Sequence, residues 1–219
     1  MTARTADCPS CGAPVAFRWS GAVQTTCDYC RSVLVRHDVD LERVGRVADL
    51  PPDSSPVQRG TEGRWRGRPF VVVGRIRYGY RRGRWSEWHL RFADGGGGWL
   101  SDAQLEWAVT EQVAAPLDMP NAADLAPGRQ VRLADGDYTV ASVTRARYLG
   151  VEGELPFEYW DKAEVPFADL RSPAGRFATV DGSERPSLLF VGEPVPYEAL
   201  ALTNVRAFDG WAVPAPGPA

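Results

Sequence analysis

The sequence predicts a mostly β fold: an N-terminal zinc ribbon followed by two small SH3-like or sandwich-like β-units packed together. Three observations carry this expectation. The four cysteines fall in two Cys-x-x-Cys pairs near the N terminus. Beyond residue 59, apolar residues alternate with polar ones at a period of two, as in half-buried strands. Helix signals are scarce, and Pro-bearing breaks divide the chain. The expected layout is a ribbon over 1–38, a linker over 39–58, a first β-unit over 59–115, a connection over 116–127, a second β-unit over 128–206 and a disordered tail over 207–219.

"CPSCG" and "CDYCR" place Cys8, Cys11, Cys27 and Cys30 in the pattern C-x2-C-x15-C-x2-C. That spacing suits a four-thiolate zinc site, each turn presenting two sulfurs to one tetrahedral ion. Gly12 supplies the left-handed backbone that such a turn needs. Val15, Phe17 and Trp19 alternate between the turns, Val23 to Thr26 forms a return strand, and Val33 and Val35 continue as a third. A tetrathiolate can also hold iron, and a single Cys-x-x-Cys can do redox work. The doubled motif without a βαβ context favours one structural zinc, with no coordination position left for catalysis. A ribbon this short buries too little core to fold alone, so the metal contributes on the order of 10 kcal/mol.

"DLERVGRVADLPPDSSPVQRG" opens with Leu41, Val44, Val47 and Leu50 at a spacing of three and ends in a Pro/Ser cluster from Pro51 to Pro56, read as the linker. In "PFVVVGRIRY", Phe70, Val72, Ile76 and Tyr78 are expected on one face, with a bulge or bend at Gly74. "RRGR" turns the chain at Gly83. In "WSEWHLRF", Trp88, Leu90 and Phe92 face inward, while Trp85, Glu87, His89 and Arg91 form an outward strip. "ADGGGG" is a turn, after which Trp99, Leu100, Leu105, Trp107 and Val109 resume strand alternation. "AAPLDMPNAADLAPG" is a second connection, and Asp135-Gly136 opens another hairpin in the second unit. The tail "VPAPGPA" has the composition of a disordered end.

The net charge of −3 hides an asymmetry. Ten arginines between Arg59 and Arg91 face only Glu62 and Glu87, whereas the chain from Phe92 onward carries nineteen acids against nine bases. Such blocks serve a polyanion site or attract each other within one molecule. The acidic remainder argues against nucleic acid as a partner. No apolar run reaches the ~18 residues of a membrane helix, and no secretory signal is expected. The expected compartment is the cytoplasm, where thiols stay reduced.

Glu87 and His89 are the pair that most suggests chemistry. Two apart on a strand, they point the same way, about 7 Å between Cα atoms, and such a pair can relay a proton. No nucleophile, oxyanion donor or open metal position accompanies them, so no catalytic residue is assigned. The strip is read instead as a surface touching neighbouring strands or a protein partner, with Trp85, Glu87, His89, Arg91, Asp94 and Trp99 as the partner-binding set. The four glycines lack the Lys-Ser/Thr of a phosphate loop.

Taken together, "CPSCGAPV" with "CDYC", "LERVGRVADL", "PFVVVGRIRY", "GRWSEWHLRFADG" leading to "GWLSDAQ", and later "GELP" and "FATVDG" resemble the bacterial family known as domain of unknown function 4178, in its form with an N-terminal zinc ribbon. The resemblance implies a cytoplasmic bacterial protein of the kind grouped with membrane-stress or polyamine-related genes, and it implies no reaction. The expanded "GGGG" departs from the pattern. The expected function is a non-catalytic, zinc-stabilised β adaptor or assembly protein engaged in protein–protein interaction. A nucleic-acid-binding module using the arginine and aromatic block is the alternative, and an enzyme of unknown reaction is the third reading.

Overall fold

A computed structural model of the chain describes residues 4–37, 40–46, 55–103, 106–158 and 163–207. Val47 to Ser54 of the expected linker, Leu105 and the tail from residue 208 lie outside the described residues.

Five short strands build the ribbon. β1 (Arg4–Asp7) pairs antiparallel with β2 (Pro14–Phe17), while β3 (Gln24–Thr26), β4 (Ser32–His37) and β5 (Asp40–Arg46) form a three-stranded sheet. Val15 and Phe17 alternate inward onto Cys8, Cys27 and Leu34. β5 falls where the sequence suggests a linker. The spacing of three between Leu41 and Val44 puts them on opposite faces of a strand. Leu41 packs on the ribbon core and Val44 on the neighbouring β-unit core, so both faces are used.

The rest is two five-stranded units in one continuous antiparallel sheet. The first comprises β6 (Glu62–Trp65), β7 (Arg68–Tyr80), β8 (Gly83–Phe92), β9 (Gly97–Ala103) and β10 (Glu106–Val113). The second comprises β11 (Gln130–Leu133), β12 (Gly136–Gly153), β13 (Glu164–Arg171), β14 (Phe177–Asp181) and β15 (Leu188–Pro194). Each unit is a meander of sequential neighbours. Two seams join them: β7 pairs with β12, and β10 pairs with β15. These seams close β7 to β10 and β12 to β15 into a ring of eight strands. They also join second strand to second strand and fifth to fifth, giving the pair of units a pseudo-two-fold relation.

Three apolar clusters follow from this arrangement. Trp65, Phe70, Val72, Trp88, Leu90, Phe92, Leu100 and Val109 fill the first unit. Val131, Tyr138, Val140, Leu170, Val180 and Leu189 fill the second. Ile76, Tyr78, Trp99, Tyr148, Leu155, Phe167 and Phe190 form a third cluster between the units, so the facing sheets are buried on both sides. Both connecting segments are structural. Ala122 and Leu125 of the inter-unit connection enter the second core. After β15 the chain returns to the first unit, where Leu200 and Leu202 complete its core and Thr203 bridges to Glu62.

One feature of β7 reverses an expected face. Phe70 and Val72 enter the first core, but Ile76 and Tyr78 enter the central cluster. The register against β8 shifts between Val72 and Gly74, and one extra residue in a strand flips everything beyond it to the other face. The expected bulge is therefore present. Gly74 is also required sterically, because a Cβ there would lie 2.1 Å from the Glu154 carbonyl oxygen, where β12 crosses.

The alternation along β8 is as the sequence suggests, and Trp88, Leu90 and Phe92 are all in the first core. What differs is the opposite face. It does not look outward, because the second unit and the ribbon cover it. His89 is 1% exposed and Trp99 7%, Trp85, Glu87 and Arg91 are half-buried, and only Asp94 lies at the surface. A period of two identifies a strand's two faces, but it does not say that both are covered.

Candidate ligand pocket and metal centre

The cysteines meet as their spacing requires. Cys8 and Cys27 are buried, Cys11 is exposed and Cys30 is intermediate. All four sulfurs lie within 4.8 Å of one another, with Cys8 Sγ 3.7 Å from Cys30 Sγ and Cys11 Sγ 3.8 Å from Cys27 Sγ. A tetrahedron with metal–sulfur bonds of about 2.3 Å has edges of roughly 3.8 Å, so these two separations fit a shared ion. Both turns use left-handed backbone just after the second cysteine, at Gly12 (φ 71°) and Arg31 (φ 59°). The sulfurs are unequal. A hydrogen bond with Ser32 lowers Cys30 to about 6. The Ala13 backbone pulls Cys11 down, but desolvation and the neighbouring sulfurs push it up to about 12. Four thiols this close resist joint ionisation unless a cation sits among them, and this donor set therefore fits a metal ion.

The ribbon docks on the β-units through Glu154. Its carboxylate accepts the backbone N–H of Arg18 at 2.8 Å and of Trp19 at 2.7 Å, and Leu155 exchanges backbone hydrogen bonds with Gln24. Arg59 adds an ion pair to Asp28 at 2.6 Å, and Arg91 donates to the Arg18 carbonyl. His89 sits beneath this contact. Its Nδ1 lies 3.0 Å from the Glu154 carbonyl oxygen, so that nitrogen carries the proton and donates. Burial lowers its pKa to about 4, so the ring stays neutral. Its ring lies between Trp19 (4.9 Å) and Trp99 (5.0 Å), and Trp99 in turn stacks on Phe157 (5.8 Å).

Between the two units lies a small half-open pocket with a cavity volume of about 50 Å³, room for a few water-sized groups. The first unit contributes Ile76, Tyr78, Glu87, Trp99, Ser101 and Thr110. The second contributes Phe167, Phe177, Thr179, Asp181 and Phe190, and Phe157 enters from the segment after β12. Every one of these strand residues lies on the face turned toward the other unit.

Glu87 and His89 do not pair. Glu87 Oε1 accepts from Trp85 Nε1 at 3.0 Å and from Ser101 Oγ at 3.1 Å, whereas His89 is held by Glu154. Glu87 is half-buried and lines the pocket. Desolvation raises its pKa to about 8, against the two hydrogen bonds and with the fields of Asp169 and Asp181 adding to the rise. Between pH 4.5, its ordinary value, and about 8, the folded chain keeps a proton that the unfolded chain has released. Stability from this group therefore falls as pH rises through that window and levels off above it. Glu87→Gln should gain stability relative to the parent on going from pH 5 to pH 9 in chemical denaturation. A difference independent of pH would show that Glu87 titrates normally.

The other candidate residues divide. Trp85 stacks on Tyr78 at 4.9 Å and meets Phe167 at 5.6 Å, so it belongs to the central cluster. Asp94 pairs with Arg68 at 2.8 Å. The arginine block is largely absorbed within the molecule: Arg66 binds Glu193, Arg68 also binds Glu111 and Arg75 approaches Glu152. Arg81, Arg82 and Arg84 stay exposed at the β7–β8 hairpin. Sequence reasoning missed Asp181, Phe177 and the rest of the far wall. Their period-two spacing was available, but not the seams that bring them opposite Glu87.

Fold and sites together define a mostly β, two-unit protein with a four-cysteine ribbon docked against its junction. Residues 58–197 match the model of a family described as Domain of unknown function (DUF4178), and the chain belongs to that family. No curated protein and no solved structure matches it. Among the described residues, no helix is long and apolar enough to cross a membrane.

Proposed function

We propose that the chain is a non-catalytic, zinc-stabilised binding protein of the cytoplasm that holds a small molecule between its two β-units. The observation that carries this reading is the pocket, whose aromatic walls and few polar groups come from both units at once. A concave, mostly apolar site with convergent polar atoms and a strongly shifted carboxyl is the common form of a ligand site. Non-catalysis is supported by Glu87 and His89 being committed to separate partners. Zinc is supported by four thiolate donors at tetrahedral spacing, which also leave no position for substrate.

A protein partner is the second reading. Tyr29, 73% exposed at the tip of the second cysteine turn, favours it over the strip expected from the sequence. Nucleic acid is not expected to bind at physiological salt, because acidic side chains already engage much of the arginine block.

Purification from the native host followed by native mass spectrometry tests these readings together. The expected result is one zinc per chain and a small-molecule adduct released on denaturation. A stoichiometric protein partner with no adduct would favour the second reading. Iron at the cysteines would overturn the zinc assignment, and a salt-sensitive submicromolar complex with RNA or DNA would overturn the expectation about nucleic acid.

A further inference from the structure

We propose that the pocket between the two units binds a protonated organic amine, its ammonium group meeting Glu87 and Asp181 and its hydrocarbon part lying against the aromatic walls. This rests on the reading of that pocket as the ligand site and names the chemistry it selects. Among the described lining residues there are two carboxyl groups and no arginine, lysine or histidine. Asp181 is 8% exposed and accepts the Ser183 backbone N–H at 2.8 Å through Oδ1. Among the described residues both hydrogen bonds to Glu87 land on Oε1, and none reaches Oε2. Buried carboxylates without a cation are costly, and a bound ammonium would supply the missing charge and donors.

The walls suit the same ligand. Tyr78, Trp99, Phe157, Phe167, Phe177 and Phe190 present aromatic rings around the carboxyls. Ring faces attract cations, most strongly where water is excluded, and the same rings bury alkyl groups. A carboxylate or phosphate ligand would find no cation among the described lining residues. A neutral apolar ligand would leave both acids unanswered.

The groups that face Glu87 also set the pH dependence. They are the donors Trp85 and Ser101 and the acids Asp181 on β14 and Asp169 on β13, the latter bonded to Ser142 and Thr179. Burial raises the Asp169 pKa, opposed by its hydrogen bonds from Thr179 and Ser142 and by the charge of Arg171, whose guanidinium stacks on Phe177 and pairs with Glu106. With the Glu87 carboxyl protonated near neutrality in the free protein, amine binding displaces that proton to solvent. Affinity should therefore rise from pH 6 to pH 9.

Titration calorimetry on the metal-loaded full chain, with n-butylammonium, its neutral counterpart n-butanol and the anion butyrate as probes, tests the assignment. At pH 9 butylammonium should bind at least ten times more tightly than butanol, and Glu87→Gln should abolish that preference while leaving butanol binding in place. Asp181→Asn gives a second readout if the first variant is impaired, and thermal melts establish that each is folded. Equal binding of the two probes, or tighter binding of butyrate, would overturn the amine assignment and leave the ligand pocket standing. If none of the three probes binds, the pocket reading falls with it.

Discussion

Trp88→Ala should destabilise the chain by about 3–5 kcal/mol in denaturant unfolding, the cost of truncating a fully buried aromatic. Trp88 is 0% exposed and lies among Leu90, Phe92 and Leu100 in the first core. Its ring also carries the Arg75 guanidinium at 4.3 Å, and Arg75 is itself buried, bonded to Ser86 Oγ at 2.7 Å. Truncation would leave both a void and a buried cation without its aromatic face. Trp88→Phe, which keeps most of the volume, should recover more than half of the loss. An alanine variant within 1 kcal/mol of the parent would mean that this core is much more plastic than its burial implies.

Removing the metal should have the larger effect on the ribbon, costing it on the order of 10 kcal/mol. Cys27→Ser or a strong chelator should unfold residues 4–46, and hydrogen exchange should report it directly. The sequence suggests that the damage stops at the Pro-rich break. The contacts suggest otherwise, because Glu154, Leu155 and His89 lose the partners that the ribbon supplies. The amide of Leu155, which donates to the Gln24 carbonyl, should lose protection together with those of the ribbon, and Trp99, packed against His89, should shift its emission. Unchanged protection at Leu155 after metal loss would show that the ribbon is an independent appendage.

The fold class was legible because its signals are local. Cys-x-x-Cys spacing reports a metal turn, and the alternation in "WSEWHLRF" reports a strand and its two faces. The site was only half legible. Glu87, His89 and Trp99 stand out in the sequence, yet their partners Asp181, Phe167 and Phe157 come from 58 or more residues away. Two non-local facts decide what that strip does: the seams β7–β12 and β10–β15, and the docking of the ribbon over His89. The bulge near Gly74 was anticipated, but its power to send Ile76 and Tyr78 to a different core was not.

The pairing of second strand with second and fifth with fifth has a consequence for how such a chain could arise and be taken apart. Either five-stranded unit, expressed alone, would present two open edges and an apolar sheet face that its sibling covers in the whole molecule. Uncovered edges seek pairing, and the surface that fits them best is another copy of the same unit turned about a dyad. A half-length ancestor would thus be a homodimer with its pocket on the symmetry axis, and gene fusion would free the two halves to diverge. In the present chain the two sides of the pocket differ, one offering Glu87 and Ser101 and the other Thr179 and Asp181.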